Sequence, residues 1–127
     1  MMKTNQQDEK TKNGVHKEFF RNGEVACVGK FSKGVRTGVW KYYLRNGELR
    51  ATGGFSKGQF SGLWKWYREN GKLLQAGKFR SGKQVGLWKR YHKGGEVYDM
   101  GRYVDGKRTG VWKYFDAAGK LIRTEKH

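Results

Sequence analysis

Gly29-Lys30-Phe31-Ser32-Lys33-Gly34-Val35-Arg36-Thr37-Gly38-Val39-Trp40 is the stretch on which the fold turns, because its glycines and rings return down the chain at a fixed interval. Gly-Val-Trp-Lys at Gly38 is preceded by Gly-Val-His-Lys at Gly14. It is followed by Gly-Leu-Trp-Lys at Gly62 and Gly86 and by Gly-Val-Trp-Lys at Gly110. Each start lies 24 residues after the last. Full repeats therefore begin at 14, 38, 62 and 86, and a fifth, beginning at 110, is cut short at His127. A period of 20–50 residues is the mark of units that cannot bury a face alone and stack to do so. Residues 1–13 stand outside the period and read as a polar, mobile N-terminal tail.

Composition agrees with an ordered array of strands. The 127 residues carry a net charge of +17 and are only 35% hydrophobic, which alone would admit disorder. An aromatic content of 15%, with 20 glycines and no proline, points instead to folded strands and many turns. The single Cys27 cannot form an internal disulfide. No apolar run reaches the ~18 residues of a membrane helix, and Met1–Lys10 lacks the apolar segment of a secretory signal. A cytoplasmic location is the expectation.

Within the unit, Asn22-Gly23, Asn46-Gly47 and Asn70-Gly71 predict two-residue type I′ hairpin turns, which require positive φ at both central residues. That register sets Arg21 opposite Glu24, Arg45 opposite Glu48, Glu69 opposite Lys72 and Lys93 opposite Glu96, all of opposite sign. It also sets Trp40 against Gly53, Trp64 against Gly77 and Trp88 against Gly101, where a bare backbone leaves room for an indole. A second turn, at Lys33-Gly34, Lys57-Gly58, Ser81-Gly82 and Asp105-Gly106, leads to the next copy. The expected fold class is all-β: an elongated antiparallel meander of stacked 24-residue β-hairpin repeats in a single-layer twisted sheet of roughly nine or ten strands. A short turn near Leu121-Ile122 is the one place where helix is admitted.

Alternation along each strand sorts the side chains onto two faces. One should hold Trp40, Trp64, Trp88 and Trp112 with Phe31, Phe55, Phe79, Tyr103, Leu49, Leu73, Val97 and Leu121, and serve as the core. The other should hold Lys17, Lys41, Lys65, Lys89 and Lys113 with Phe19, Tyr43, Tyr67, Tyr91 and Phe115, and further cations at Lys30, Lys78, Arg102 and Lys126. Same-face lysines two strands apart would stand roughly 9–10 Å from one another. Partner binding is expected at Lys41, Tyr43, Lys65, Tyr67, Lys89, Tyr91, Lys113 and Phe115.

The stretch from Gly29 to Trp40, with its echoes at Gly53, Gly77 and Gly101, resembles the MORN repeat (membrane occupation and recognition nexus) over residues 14–127. Trp40, Trp64, Trp88 and Trp112 stand where the usual eukaryotic pattern has a second glycine. The Gly-x-Trp-x-x-Tyr form followed by Asn-Gly is closer to the bacterial variant found in antitoxin and immunity-type proteins. The resemblance implies a stack of hairpins with a binding or scaffolding role, and the departure at Trp weakens any transfer of lipid binding.

Catalysis finds no constellation to rest on. His16, His92 and His127 fall at different repeat positions, and no Cys/His spacing suits zinc or another metal. Ser32 and Ser56 lie in turns without a marked His or Asp, and the glycines follow hairpin spacing, not that of a phosphate loop. No enzyme and no cofactor is expected. The resemblance to the antitoxin and immunity-type variant implies a cognate toxin as protein partner, and the charge of +17 would steer the chain to an acidic one with rapid, salt-sensitive association. The alternatives are an adaptor for anionic membrane lipid and, third, a nucleic-acid binder using lysines interleaved with tyrosines.

Overall fold

Ten strands follow one another as hairpins in a computed structural model that describes residues 12–127 together with the backbone of Met2–Lys3. The strands are β1 (Met2–Lys3), β2 (Gly14–Phe20), β3 (Val25–Ser32), β4 (Val35–Tyr43), β5 (Leu49–Ser56), β6 (Gln59–Tyr67), β7 (Leu73–Arg80), β8 (Lys83–Tyr91), β9 (Val97–Val104), β10 (Lys107–Phe115) and β11 (Leu121–Lys126). The two-residue β1 adds to the ten by pairing Met2 with Phe20. The sheet runs β1 to β11 in chain order, with β1 and β11 as the outermost of the described strands. Leu121–Ile122 opens β11, so the expected C-terminal turn is strand. The N-terminal tail foreseen over 1–13 lies for the most part outside the described residues. Its last members, Lys12 and Asn13, bond the second turn of the first repeat through Gly34 N–H to Lys12 O (3.0 Å) and Lys33 N–H to Asn13 Oδ1 (3.0 Å).

The two turns exchange the roles that the sequence assigns them. At Lys33-Gly34 φ is +51° and +83°, and Ser32 pairs with Val35, so the two-residue type I′ turn is here and at its three echoes. At Asn22-Gly23 only the glycine has positive φ (+89°). Gly23 N–H donates to Phe20 O (3.0 Å) and Phe20 N–H to Glu24 O (2.8 Å), so the chain turns over Arg21-Asn22 and closes on a left-handed glycine. Arg21, Arg45, Glu69 and Lys93 therefore sit inside their turns, and the four predicted cross-strand charge pairs are not opposed. The asparagine has another duty. Its Oδ1 accepts the N–H two residues on (2.9 Å from Glu24, 3.0 Å from Glu48, 2.9 Å from Lys72). Asn22 and Asn70 also donate to Arg45 O and Lys93 O, tying each turn to the next repeat.

One-residue bulges beside these turns reassign a column of side chains. The register passes from Tyr42↔Ala51 to Tyr43↔Leu49, leaving Arg50 extra, and the same step recurs at Leu74, Tyr98 and Ile122. Leu49, Leu73, Val97 and Leu121 consequently share a face with Tyr43, Tyr67, Tyr91 and Phe115, away from the tryptophans where alternation placed them. A single inserted residue is enough to carry the rest of a strand across the sheet.

The tryptophans form the core as expected, with exposures of 0% for Trp40, 2% for Trp64, 4% for Trp88 and 2% for Trp112. Their backbones do face Gly53, Gly77 and Gly101 across β4·β5, β6·β7 and β8·β9. Each ring, however, lies over the glycine of the strand before it. A Cβ built at Gly53 would stand 2.0 Å from Trp64 Cδ2, and Gly29, Gly77 and Gly101 are covered alike by Trp40, Trp88 and Trp112. The indole N–H then donates to the next carbonyl: Trp40 to Lys30 (3.1 Å), Trp64 to Gly54 (2.9 Å), Trp88 to Lys78 (3.1 Å) and Trp112 to Arg102 (3.3 Å). Phe31, Phe55, Phe79 and Tyr103 meet those rings edge-on at 5.1–5.4 Å. His16 takes the place of Trp in the first repeat, buried and edge-on to Phe31 at 5.0 Å.

A single sheet can hide these indoles because a side chain four residues earlier roofs each one. Arg36 lies over Trp40 (5.0 Å) and Arg108 over Trp112 (4.3 Å), while Phe60 meets Trp64 edge-on at 4.8 Å. Gln84 holds the same position above Trp88, by the pairing Phe79↔Gln84 that matches Phe55↔Phe60.

Candidate functional site

The opposite face carries the lysines, and the register lines them up. Lys17 pairs with Val28, Val28 with Lys41, Lys41 with Thr52, Thr52 with Lys65, Lys65 with Ala76, Ala76 with Lys89, Lys89 with Met100, Met100 with Lys113 and Lys113 with Thr124. Every second strand thus contributes a lysine, and a small or apolar residue stands between. The register sets successive lysines two strands apart, an interval of roughly 9–10 Å at ordinary strand spacing.

Two further rows flank it. On the side of the asparagine turns, Tyr43↔Leu49, Tyr67↔Leu73, Tyr91↔Val97 and Phe115↔Leu121 form an aromatic–aliphatic row. On the other side, Val15↔Lys30, Leu63↔Lys78, Leu87↔Arg102 and Val111↔Lys126 mix apolar and basic residues. The structure therefore brings Lys41, Tyr43, Lys65, Tyr67, Lys89, Tyr91, Lys113 and Phe115 together on one face, with Lys30, Lys78, Arg102 and Lys126 beside them. Sequence reasoning missed the Leu49–Leu121 column, which joins these rings, and the exposed Val15, Val39, Leu63, Leu87 and Val111 (43–65% exposed). A shallow depression of about 380 Å³ opens on this face between Leu63, Lys78, Leu87, Lys89, Tyr91 and Arg102.

Among the described strand residues, the carboxylates all lie on the tryptophan face. Glu24, Glu48, Glu69, Glu96, Asp105 and Asp116 lie in the turns. Glu18, Asp99 and Glu125 lie on the tryptophan face, paired in register with Cys27, Arg90 and Trp112. No described strand carboxylate lies on the lysine face, and Glu24 reaches its rim only from a turn, beside Lys17 and Tyr43.

The tryptophan face satisfies its own charges. Asp99 is fully buried, and Arg90 donates Nε to both its oxygens (3.0 and 3.1 Å) and Nη2 to Oδ2. That hydrogen bonding raises the Arg90 guanidinium above its ordinary value. Tyr114 donates to Glu125 (2.7 Å), accepts from Arg108 (3.1 Å), and holds the Glu125 carboxyl below its usual range. Cys27 is buried and donates to Glu18 (2.9 Å). Burial first, then that carboxylate, pushes its thiol up to about 12. Among the described residues no group of three His, Cys, Asp or Glu could hold a metal ion.

The family model of a MORN repeat variant matches residues 36–57, 60–80 and 108–126. No curated protein matches the chain. Among solved structures, a point mutant of S. aureus TarM in complex with fondaparinux, alpha-GlcNAc-glycerol and UDP is 11% identical with a TM-score of 0.48, over 85% of this chain and 21% of that one. A second TarM structure is 11% identical at 0.47, over 84% and 20%. A GtfA/B complex bound to UDP and GlcNAc is 20% identical at 0.40, over 71% and 23%. The chain spans about a fifth of the length of these solved chains, and at such scores the likenesses carry no functional argument.

Proposed function

We propose that this chain, whose residues 36–57, 60–80 and 108–126 match a MORN repeat variant, is a cytoplasmic antitoxin or immunity protein whose lysine face covers the acidic surface of a cognate toxin. MORN repeats are non-enzymatic binding modules for protein or lipid, and the finer reading rests on one observation. Lysines recur at every second strand on a face whose described strands carry no carboxylate, flanked by tyrosines and leucines. Unopposed cations steer an acidic partner to the sheet, and the flanking rings supply apolar contact once it arrives. Lys41, Tyr43, Lys65, Tyr67, Lys89, Tyr91, Lys113 and Phe115 are the residues proposed to make it.

The test is a pull-down from the source cell, nuclease-treated and washed above physiological salt. One stoichiometric protein is expected, inactivated on addition of this chain. With that protein in hand, Lys65→Glu together with Lys89→Glu slows association by about an order of magnitude. An unchanged on-rate removes the electrostatic argument. A second reading, binding to an anionic membrane surface, is favoured by the exposed Val39, Leu63, Leu87 and Val111 among the lysines. Flotation with vesicles with and without anionic lipid separates it from the first.

A further inference from the structure

The tryptophan face carries one place where its own packing is incomplete. A row of side chains crosses this face, each opposed on both sides: Cys27 by Glu18 and Tyr42, Ala51 by Tyr42 and Trp66, Gln75 by Trp66 and Arg90, and Asp99 by Arg90 and Tyr114. Cys27 reaches Glu18, Asp99 holds Arg90, and Arg123, at the end of the row, lies 4.0 Å from the Tyr114 ring centroid. Ala51 has only a methyl group to offer. The result is an open notch of about 370 Å³ above it, between the half-buried Tyr42 and Trp66, with Phe60 (39% exposed) on the far wall.

Two arginines line that notch, Arg36 in the roof row and Arg50 at the bulge. The last repeat shows what such an arginine takes on this face. There Arg108 donates to Tyr114, and Tyr114 to the Glu125 carboxylate. The corresponding residues 72 positions earlier are Arg36, Tyr42 and Gly53, so the arginine and tyrosine recur and the carboxylate does not. Glu18, on the far side of Tyr42, is engaged by the Cys27 thiol at 2.9 Å.

We infer that the notch over Ala51 binds an extended acidic peptide segment, seating an aromatic side chain between Tyr42 and Trp66 and a neighbouring carboxylate against Arg36 and Arg50. Charge complementarity selects the occupant, since the chain carries +17 and the notch has arginines and rings but no acid in its lining. Tyr, Trp and Arg, here grouped at one depression, are the residue types that dominate binding hot spots. The site lies on the opposite side of the sheet from the lysine face and does not depend on the antitoxin reading.

The probe is the blocked peptide Asp-Glu-Phe-Glu-Asp, titrated into the ¹⁵N-labelled full chain at physiological salt. Its controls are the same peptide with Ala for Phe, Lys-Lys-Phe-Lys-Lys, and AMP as a planar anion of another class. The Trp66 indole N–H is expected to shift with the first peptide. The Ala-containing peptide should bind about tenfold more weakly, as should the first peptide to Ala51→Gln, which fills the notch with the side chain tolerated at Gln75. Arg36→Gln weakens binding by about fivefold, while Lys65→Glu, on the other face, changes it by less than about twofold. The proposal fails if the shifts map to the lysine face, if the Ala-containing peptide binds equally, or if AMP competes with the peptide at equal concentration. Should Ala51→Gln not fold, the peptide pair and Arg36→Gln decide the matter alone.

Discussion

The two faces of this sheet are written by the same 24-residue unit and use it oppositely. The tryptophan face consumes what it carries: indoles lie on glycine backbones, their N–H groups are bonded to carbonyls, and Asp99 and Glu125 are met by Arg90 and Tyr114. The lysine face leaves its groups available, with its row of cations facing Val28, Thr52, Ala76, Met100 and Thr124 and its valines and leucines half in water. Nearly all cooperative packing thus resides on one side of a single layer. The other side is free to take charge and shape from a partner without loss of fold. A globular domain obtains this freedom only at its loops.

The largest effect should separate adjacent residues. Trp88→Ala empties a box that Gly77, Phe79 and Tyr103 build around the ring, and is expected to cost about 3–5 kcal/mol in urea unfolding. Lys89→Ala, one residue on and facing the other way, should stay within about 0.5 kcal/mol. Comparable losses would mean that both faces carry the core. Next comes Asp99→Asn, which withdraws a buried partner from Arg90. Because the Arg90 side chain is 46% exposed and can turn to water, the cost should be about 2–3 kcal/mol, below the full value for a stranded buried charge. A cycle with Arg90→Gln measures the coupling, and additivity of the two losses would show the pair to be incidental.

The smallest effect is a titration. The Cys27 thiol is raised from 9.0 to about 12, so the folded state keeps a proton that the unfolded chain gives up. Its contribution to stability is therefore whole below pH 9 and is lost as the pH rises toward 12. Thiol-reagent rates on the native protein should stay flat between pH 8 and 10, and rise over that range in urea. A native rate that climbs like the denatured one would mean that the tryptophan face opens at its first repeat.

How far the site was legible follows from what alternation can and cannot count. The lysine row was readable because Lys41, Lys65, Lys89 and Lys113 stand next to the tryptophans, with no irregularity between them and the residue that anchors the register. Leu49 was misplaced because Arg50 bulges out between it and that anchor, and no rule of composition marks Arg50, Leu74, Tyr98 and Ile122 as a shared bulge position. Asn-Gly was read as a type I′ turn on the strength of its dipeptide, yet Lys33-Gly34 and Asp105-Gly106 hold that geometry. The difference lies in the register that closes each turn, Ser32↔Val35 at one and Phe19↔Val25 at the other, which the dipeptide does not contain.

The 24-residue period, the hairpin architecture, the pairing of Trp with Gly and the recurrence of Lys at one position all follow from the order of residues, because each is a local pattern repeated at fixed distance. Which glycine an indole covers, which residue roofs it, where the bulges throw the leucines and why Ala51 leaves a notch do not. Those depend on residues of neighbouring strands, or on a side chain four places earlier, that come alongside only when the strands pair. Side chains that meet across strands are chosen by the register of the whole sheet, and no single repeat contains it.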